Sequence, residues 1–185
     1  MVRELEDRDL PIEALRPVYY WITARSERLL YYFVCTALLH SSKTQAQSLK
    51  TEDVCVWIAA QLAMCDKRWS QTVTTKVAQG VLATLRDFGI LEGTVKKRIA
   101  PVYLPVESFA YIAFALHQEG TSGSHLVHHP DWLLFLFPPP VVERMFLDAD
   151  RNGFLRFQAA GKIVRIDFPA HSFEEMADVI AARAH

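Results

Sequence analysis

Residues 69–98, WSQTVTTKVAQGVLATLRDFGILEGTVKKR, constrain this chain more than any other segment. Ser70 offers a side-chain oxygen to the free amides of a first helical turn. Val73, Val77, Val81 or Leu82, Leu85 and Phe88 then recur at spacings of three and four, the signature of one helix face. Gly89 stands where a helix closes in the left-handed conformation, with Ile90 and Leu91 folding back onto the same core. Lys96, Lys97 and Arg98 follow on an expected turn ahead of the extended run Ile99–Leu104. Helix, glycine stop, apolar pair and basic strand-turn together form the layout of a winged helix, a helix-turn-helix variant that lays a helix in a DNA groove. Nucleic acid is therefore the first partner to consider.

A length of 185 residues suits one domain or two small ones, and 51% hydrophobic against 22% charged residues supplies a core without a signature of disorder. The net charge of −1 draws the whole chain to no polyanion, but the charge is unevenly spread. Between Ala60 and Ala100 seven basic residues face three acids, a local excess of +4, whereas from Pro101 onward six basic residues face ten acids. Such a local basic face suits a modest, salt-sensitive DNA contact, and equally an ordinary solvated surface. Cys35, Cys55 and Cys65 are odd in number and lack a CxxC spacing. Cys35 and Cys55 lie within apolar helical faces, so they read as small buried thiols of a reducing compartment. The charged segment Met1–Arg16 does not resemble a signal peptide. The longest uncharged run, Leu29–Ser42, has 14 residues, short of a bilayer span. A cytoplasmic protein without a membrane contact is expected.

Along the chain, Met1–Asp9 reads as a frayed charged terminus and Leu10–Ile22 as a helix interrupted or started at Pro17. Glu27–His40 is apolar over most of its girth, which predicts a central helix, and Ser41–Lys50 is a polar connector. Thr51 is expected to cap a helix with Glu52 and Asp53 in its first turn and Val54, Trp57, Ile58 and Leu62 (with Met64 as a further candidate) on one side. Pro105 suits the first position of a helix over Val106–Gln118, with Phe109, Ile112, Ala113 and Leu116 inward and Gly120 as the stop. Thr121–His129 reads as a loop. Pro130 and Asp131 open a short helix, Trp132–Phe137, which Pro138, Pro139 and Pro140 break. Val141–Asp150 is helical up to Gly153, and Phe154–Ala159 and Lys162–Phe168 should pair as a hairpin, with Arg156 and Lys162 flanking its turn. Ser172 and Glu175 form a capping box for the last helix, through Ala182. Leu147–Leu155, with a helix, Gly153, an apolar pair and a hairpin, echoes Leu85–Leu91, so two tandem winged-helix modules would account for the pattern.

In the first module the side chains facing away from the apolar stripe are Gln71, Thr72, Thr75, Lys76 and Gln79. Gln pairs with adenine edges, and Thr and Lys with phosphates or guanine. Lys96, Lys97 and Arg98 would clamp the backbone without reading sequence. In the second module Val164, Ile166 and Phe168 should share one face and Arg165 and Asp167 the other, the pattern of a plain exposed hairpin. His125, His128, His129 and Asp131 lack metal-site spacing, and His129-Pro130-Asp131 is better explained as a helix entry. Asp148, Asp150 and Asn152 lack the closing glutamate of a calcium loop. No phosphate loop, nucleophile elbow or Cys–His pairing marks an enzyme, so neither catalysis, a metal nor a cofactor is expected.

Trp69, Ser70, Thr74 or Thr75 and Lys76, then Leu85–Leu91, then the basic residues leading to Ile99-Ala100-Pro101, resemble a stretch of small accessory proteins from BREX bacteriophage-defence islands. Among these proteins the stretch is similar to the BrxA group, a family likened to the NusB antitermination factor. The resemblance covers Trp69–Leu104, with no motif aligned in the amino-terminal helices and with Trp132–Ala182 beyond it. It implies a helical protein with helix-turn-helix parts that binds DNA within a larger restriction and modification assembly.

The expected fold is mainly α, with an amino-terminal helical layer over 1–50, a first winged-helix unit over 51–104, and a second winged-helix-like unit with a β-hairpin over 105–185. The expected function is that of a non-enzymatic accessory subunit of an antiviral system, contacting double-stranded DNA with low specificity alongside other subunits. Lys76, Gln79, Lys96, Lys97 and Arg98 would carry the contact, with Gln71, Thr72 and Thr75 as further partners. The alternatives are a protein-docking adaptor, using exposed Tyr19, Tyr20 and Trp21 and the Pro138-Pro139-Pro140 segment, and a transcription regulator with a palindromic operator.

Overall fold

A computed structural model describes residues 2–43, 48–94, 96–161 and 163–183. It is mainly helical with two short antiparallel hairpins, the class expected from the patterning. Two compact units divide the chain: Arg28–Val102, and Met1–Glu27 together with Tyr103–His185. Residues 1–50 are thereby shared between the units.

In the unit Arg28–Val102, α3 (Arg28–Phe33) continues through a π-helical turn, Val34–Leu38, into α4 (Leu39–Lys43). Leu30, Phe33, Val34 and Leu38 are buried, but Tyr32 is 51% exposed, so this helix is covered on one side and is not the central element its composition suggested. The stretch expected as a connector begins only after Lys43, and residues 44–47 lie outside the described ones. Helix α5 (Thr51–Met64) is capped by Lys50, whose amide donates to the Asp53 carboxylate at 2.9 Å. Thr51, expected as the cap, is the first helical residue instead. Val54 and Ile58 face inward, Trp57 packs edge-on against Phe33 at 5.1 Å, and Met64 points outward at 79% exposure. Each fully buried aliphatic side chain of this kind contributes roughly 1.5–3 kcal/mol.

Helix α6 (Gln71–Asp87) packs on α5. Its Ser70 cap accepts from the Val73 amide at 3.3 Å. The buried row is Thr74, Ala78, Val81, Leu82 and Leu85, rotated by one residue from the valine row read in the sequence, and Val73 is left 45% exposed. Ala78 lets the neighbouring helix approach, and the Thr74 hydroxyl is satisfied by the Ser70 carbonyl at 3.1 Å, so the helix rolls its smaller side chains inward. The helix ends as expected: Gly89 has φ +78°, its amide donates to the Arg86 carbonyl, and that of Ile90 donates to Leu85. Strands β1 (Leu91–Glu92) and β2 (Arg98–Ile99) pair antiparallel, Leu91 with Ile99 and Glu92 with Arg98. Leu49, just ahead of α5, bridges antiparallel to Lys97 beside β2, its amide donating to the Lys97 carbonyl at 2.6 Å.

In the other unit, α7 (Val106–Gln118) is the centre: every residue from Ser108 to Leu116 is buried. Pro105, expected at the first helical position, is its cap instead, and Gly120 closes it at φ +96°. Phe109 stacks on Trp132 at 4.6 Å and meets Phe146 edge-on at 4.8 Å. Helix α2 (Ile12–Ser26) packs on α7 and runs unbroken past Pro17. The amino terminus is not frayed: α1 (Val2–Glu6) buries Leu5, and Arg8 pairs at 2.7 Å with Asp178 of α10 (Phe173–Ala181). Tyr20 and Trp21, read as exposed docking aromatics, are 1% exposed; Tyr20 donates to the Leu134 carbonyl and Trp21 to the Asp131 carboxylate. Tyr19 is half-buried and donates to Glu6.

The segment expected as a loop after Gly120 contains a short helix, α8 (Ser124–Val127), and Pro130–Phe135 is a 3-10 helix. The three prolines do not break structure but open it: Pro138 caps α9 (Pro139–Arg151), because a helix needs no amide at its first position. Gly153 at φ +73° ends α9 with the same paired amides as Gly89, now from Gly153 to Asp150 and from Phe154 to Ala149. Strands β3 (Arg156–Ala160) and β4 (Ile163–Asp167) form the second hairpin, with Phe157 and Ile166 opposite each other and inward. Arg165 and Asp167 pair on its outer face at 2.7 Å; Lys162 lies outside the described residues. Ser172 caps α10, while the Glu175 carboxylate accepts from His171.

Candidate nucleic-acid interface

The eight residues singled out in the sequence fall into three groups. Thr72, Lys76 and Gln79 lie opposite the buried row of α6 and are exposed, at the spacing of four and three that aligns side chains along one helix face. Gln71 and Thr75 sit on the flank toward α5: the Gln71 amide nitrogen donates to the Thr75 hydroxyl at 3.4 Å, and Thr75 lies 4.0 Å from the Cys55 sulfur. The third group, Lys96, Lys97 and Arg98, occupies the β1–β2 turn and the start of β2.

These three cations differ in their surroundings. Arg98 belongs to the strand, and its Nε lies 2.5 Å from the carboxylate of Glu92, its cross-strand partner. Lys97 donates its ammonium to the Thr94 carbonyl at 2.9 Å, while its backbone holds Leu49. Lys96 is exposed, and its ammonium has no partner among the described residues; the same is true of Lys76. Arg86, at the far end of α6, is paired with Asp87 at 2.8 Å. The turn is shaped by Gly93 at φ +92°, where a Cβ would stand 2.3 Å from the Lys96 carbonyl oxygen, so no other residue fits without opening the turn. Ser48, Glu92, Gly93, Lys96 and Arg98 line an open hollow of about 440 Å³ beside it.

A polar cluster around Asp131 was not legible in the sequence as a cluster. Asp131, its side chain 5% exposed, accepts from Trp21 Nε1 at 2.7 Å and lies 3.3 Å from Arg25 and 3.7 Å from His129. Arg25 also grips Glu119 at 2.6 and 2.9 Å and lies 4.8 Å over the Trp21 ring. His129 caps the 3-10 helix by accepting from the Asp131 amide, and burial holds its pKa below the ordinary histidine value despite the attraction of Asp131. The cluster ties α2, α7 and the 3-10 helix together. Trp21 and Asp131 are 110 residues apart and Arg25 and Glu119 are 94 apart, which is why local pattern could not reveal it.

Among the described residues, no helix is long and apolar enough to cross a membrane. Searches of curated proteins and of solved structures return no match to this chain. A family model described as BrxA matches residues 3–115, taking in all of Arg28–Val102 and also α2 and most of α1 and α7, a wider span than the sequence motifs had suggested. With more than half of its length matched, the chain belongs to the BrxA family and is an accessory component of BREX-type phage defence.

Proposed function

We propose that this chain is a non-enzymatic subunit that holds double-stranded DNA through the unit Arg28–Val102, with little sequence preference. The observation that carries this is the order of parts: a leading helix (α3–α4), a bridging residue (Leu49), two helices (α5, α6), then β1, a basic turn and β2, with Leu49 pairing beside β2. That is the order of a winged helix, in which the second of the two helices enters the major groove and the turn flanks it. Thr72, Lys76 and Gln79 then face the groove and Lys96 meets a phosphate, with Lys97 and Arg98 as secondary contacts and Gln71 and Thr75 at the margin. Lys76 and Lys96, without partners among the described residues, and a few neutral donors favour backbone contact over base reading, hence binding with weak sequence preference.

The test is fluorescence anisotropy on two unrelated duplexes at about 50 and 200 mM salt, for the native chain and for K76E/K96E. Similar, salt-sensitive affinities that fall away in the double variant support the reading. No binding at the lower salt overturns it in favour of an adaptor that docks proteins alone.

A further inference from the structure

One long side of α5 is apolar, exposed and bounded by opposite charges. Val54 and Ile58 turn inward, whereas Val56, Ala59, Ala60, Ala63 and Met64 are exposed on another side, Val56 at 71% and Met64 at 79%. These five stand at i, i+3, i+4, i+7 and i+8, the spacing of a helix stripe that is buried against a neighbour. No charge interrupts the helix from Val54 to Cys65. The three alanines make a trough between the bulkier Val56 and Met64, so a second helix with large aliphatic side chains at its middle fits closely. Glu52, four residues before Val56, continues the stripe at its amino-terminal end, and Lys67 and Arg68 lie just beyond the other end. All three are exposed and have no ion pair among the described residues.

We propose that this stripe receives an amphipathic helix of a different protein, antiparallel to α5, with leucine or isoleucine side chains over the alanines, acids at its amino-terminal end and bases at its carboxy-terminal end. Charge complementarity sets that description: acids meet Lys67 and Arg68, and bases meet Glu52. In the antiparallel orientation those charges also suit the incoming helix's own macrodipole, whereas a parallel helix would need bases at its amino terminus and acids at its carboxy terminus. The size of the contact argues against a second copy. Helix α5 has 14 residues, about 21 Å, and five short side chains in a stripe of that length fall well below the roughly 800 Å² per partner of a stable dimer. Such a stripe serves instead as one anchor within a larger assembly, where other contacts raise its effective concentration. It is separate from the DNA face on α6, so either can fail alone.

Fluorescence anisotropy of the full chain with two labelled, stapled helices of about 16 residues, long enough to cover the stripe, tests it. Both carry leucines at their middle; one has glutamates first and lysines last, and the other has these end charges exchanged. The first should bind roughly tenfold tighter at about 50 mM salt. E52K/K67E/R68E, which leaves the Asp53 cap of α5 in place, should reverse the preference. A60R should abolish binding of both helices with an unchanged circular dichroism spectrum. In cells carrying the complete defence system, a benzophenone amino acid in place of Ala60 should crosslink to a segment of that description in another subunit, and one in place of Arg144 should not. No binding by either helix, equal binding of the two, binding that survives A60R, or no crosslink from position 60 overturns the proposal. So does a crosslink from position 60 to a second copy of the chain.

Discussion

Replacing Lys96 and deleting the Arg98 charge should have different consequences for DNA affinity, although the two residues lie two apart. The Lys96 ammonium has no partner among the described residues, whereas Arg98 lies 2.5 Å from Glu92. Each phosphate contact contributes about 0.9 to the slope of log affinity against log salt, so a fourfold rise in salt weakens binding about 3.5-fold per contact. K96A should therefore bind more weakly at about 50 mM salt and lose about 3.5-fold less affinity than the native chain on going to 200 mM. The double variant E92A/R98A removes a cross-strand pair whose side chains are 70% and 45% exposed, without changing net charge. A pair so exposed stabilises by at most about 1 kcal/mol, so the turn should survive. Because Glu92 already offsets the Arg98 charge, the salt slope of that variant should fall clearly less than that of K96A, with affinity within about twofold. Anisotropy titrations over a salt series measure both. If E92A/R98A loses as much slope as K96A, or if K96A loses none, the assignment of the phosphate contact to Lys96 is wrong.

Other consequences follow from single positions. Gly93→Ala sets a Cβ 2.3 Å from the Lys96 carbonyl at φ +92°, so it should displace the turn, speed exchange of the Leu49 amide that donates to the Lys97 carbonyl, and weaken DNA binding, with α6 helicity unchanged. Asp131→Ala leaves Trp21 without its acceptor and Arg25 without a buried partner, and should cost about 3 kcal/mol or more in denaturant unfolding. Asp131→Asn retains an acceptor and should cost clearly less. Burial depresses the folded pKa of His129 relative to the unfolded chain, so its contribution is fully present above the unfolded value of about 6.5 and is lost as pH falls through the folded value. His129→Asn keeps a helix cap and should show a shallower loss of stability as the pH falls below about 6.5 in unfolding titrations.

What was legible in the sequence is what local chemistry decides. The Ser70 cap, the glycine stops at Gly89, Gly120 and Gly153, the inward residues of α7 and the alternation of the second hairpin each depend on neighbours within a few positions. The echo between the ends of α6 and α9 also held, since both close with the same pair of amide bonds. The roll of α6 was misread because two rows, one of valines and one through Thr74 and Ala78, both satisfy helical spacing, and the partner helix decides between them. Tyr20, Trp21 and Leu5 were misplaced because their burial comes from α7, α10 and the 3-10 helix, far along the chain. Within the candidate interface, residue type identified the cations, but only the β1–β2 register separates Arg98, held by Glu92, from Lys96.

The most direct measurement is an amide-resolved NMR titration of the labelled full chain with a short duplex at low salt. Shifts concentrated at Thr72, Lys76, Gln79 and the Gly93–Lys96 turn are the predicted result. Shifts confined to the outer side of α5 or to the second hairpin, or no shifts at all, would contradict the placement of DNA on α6.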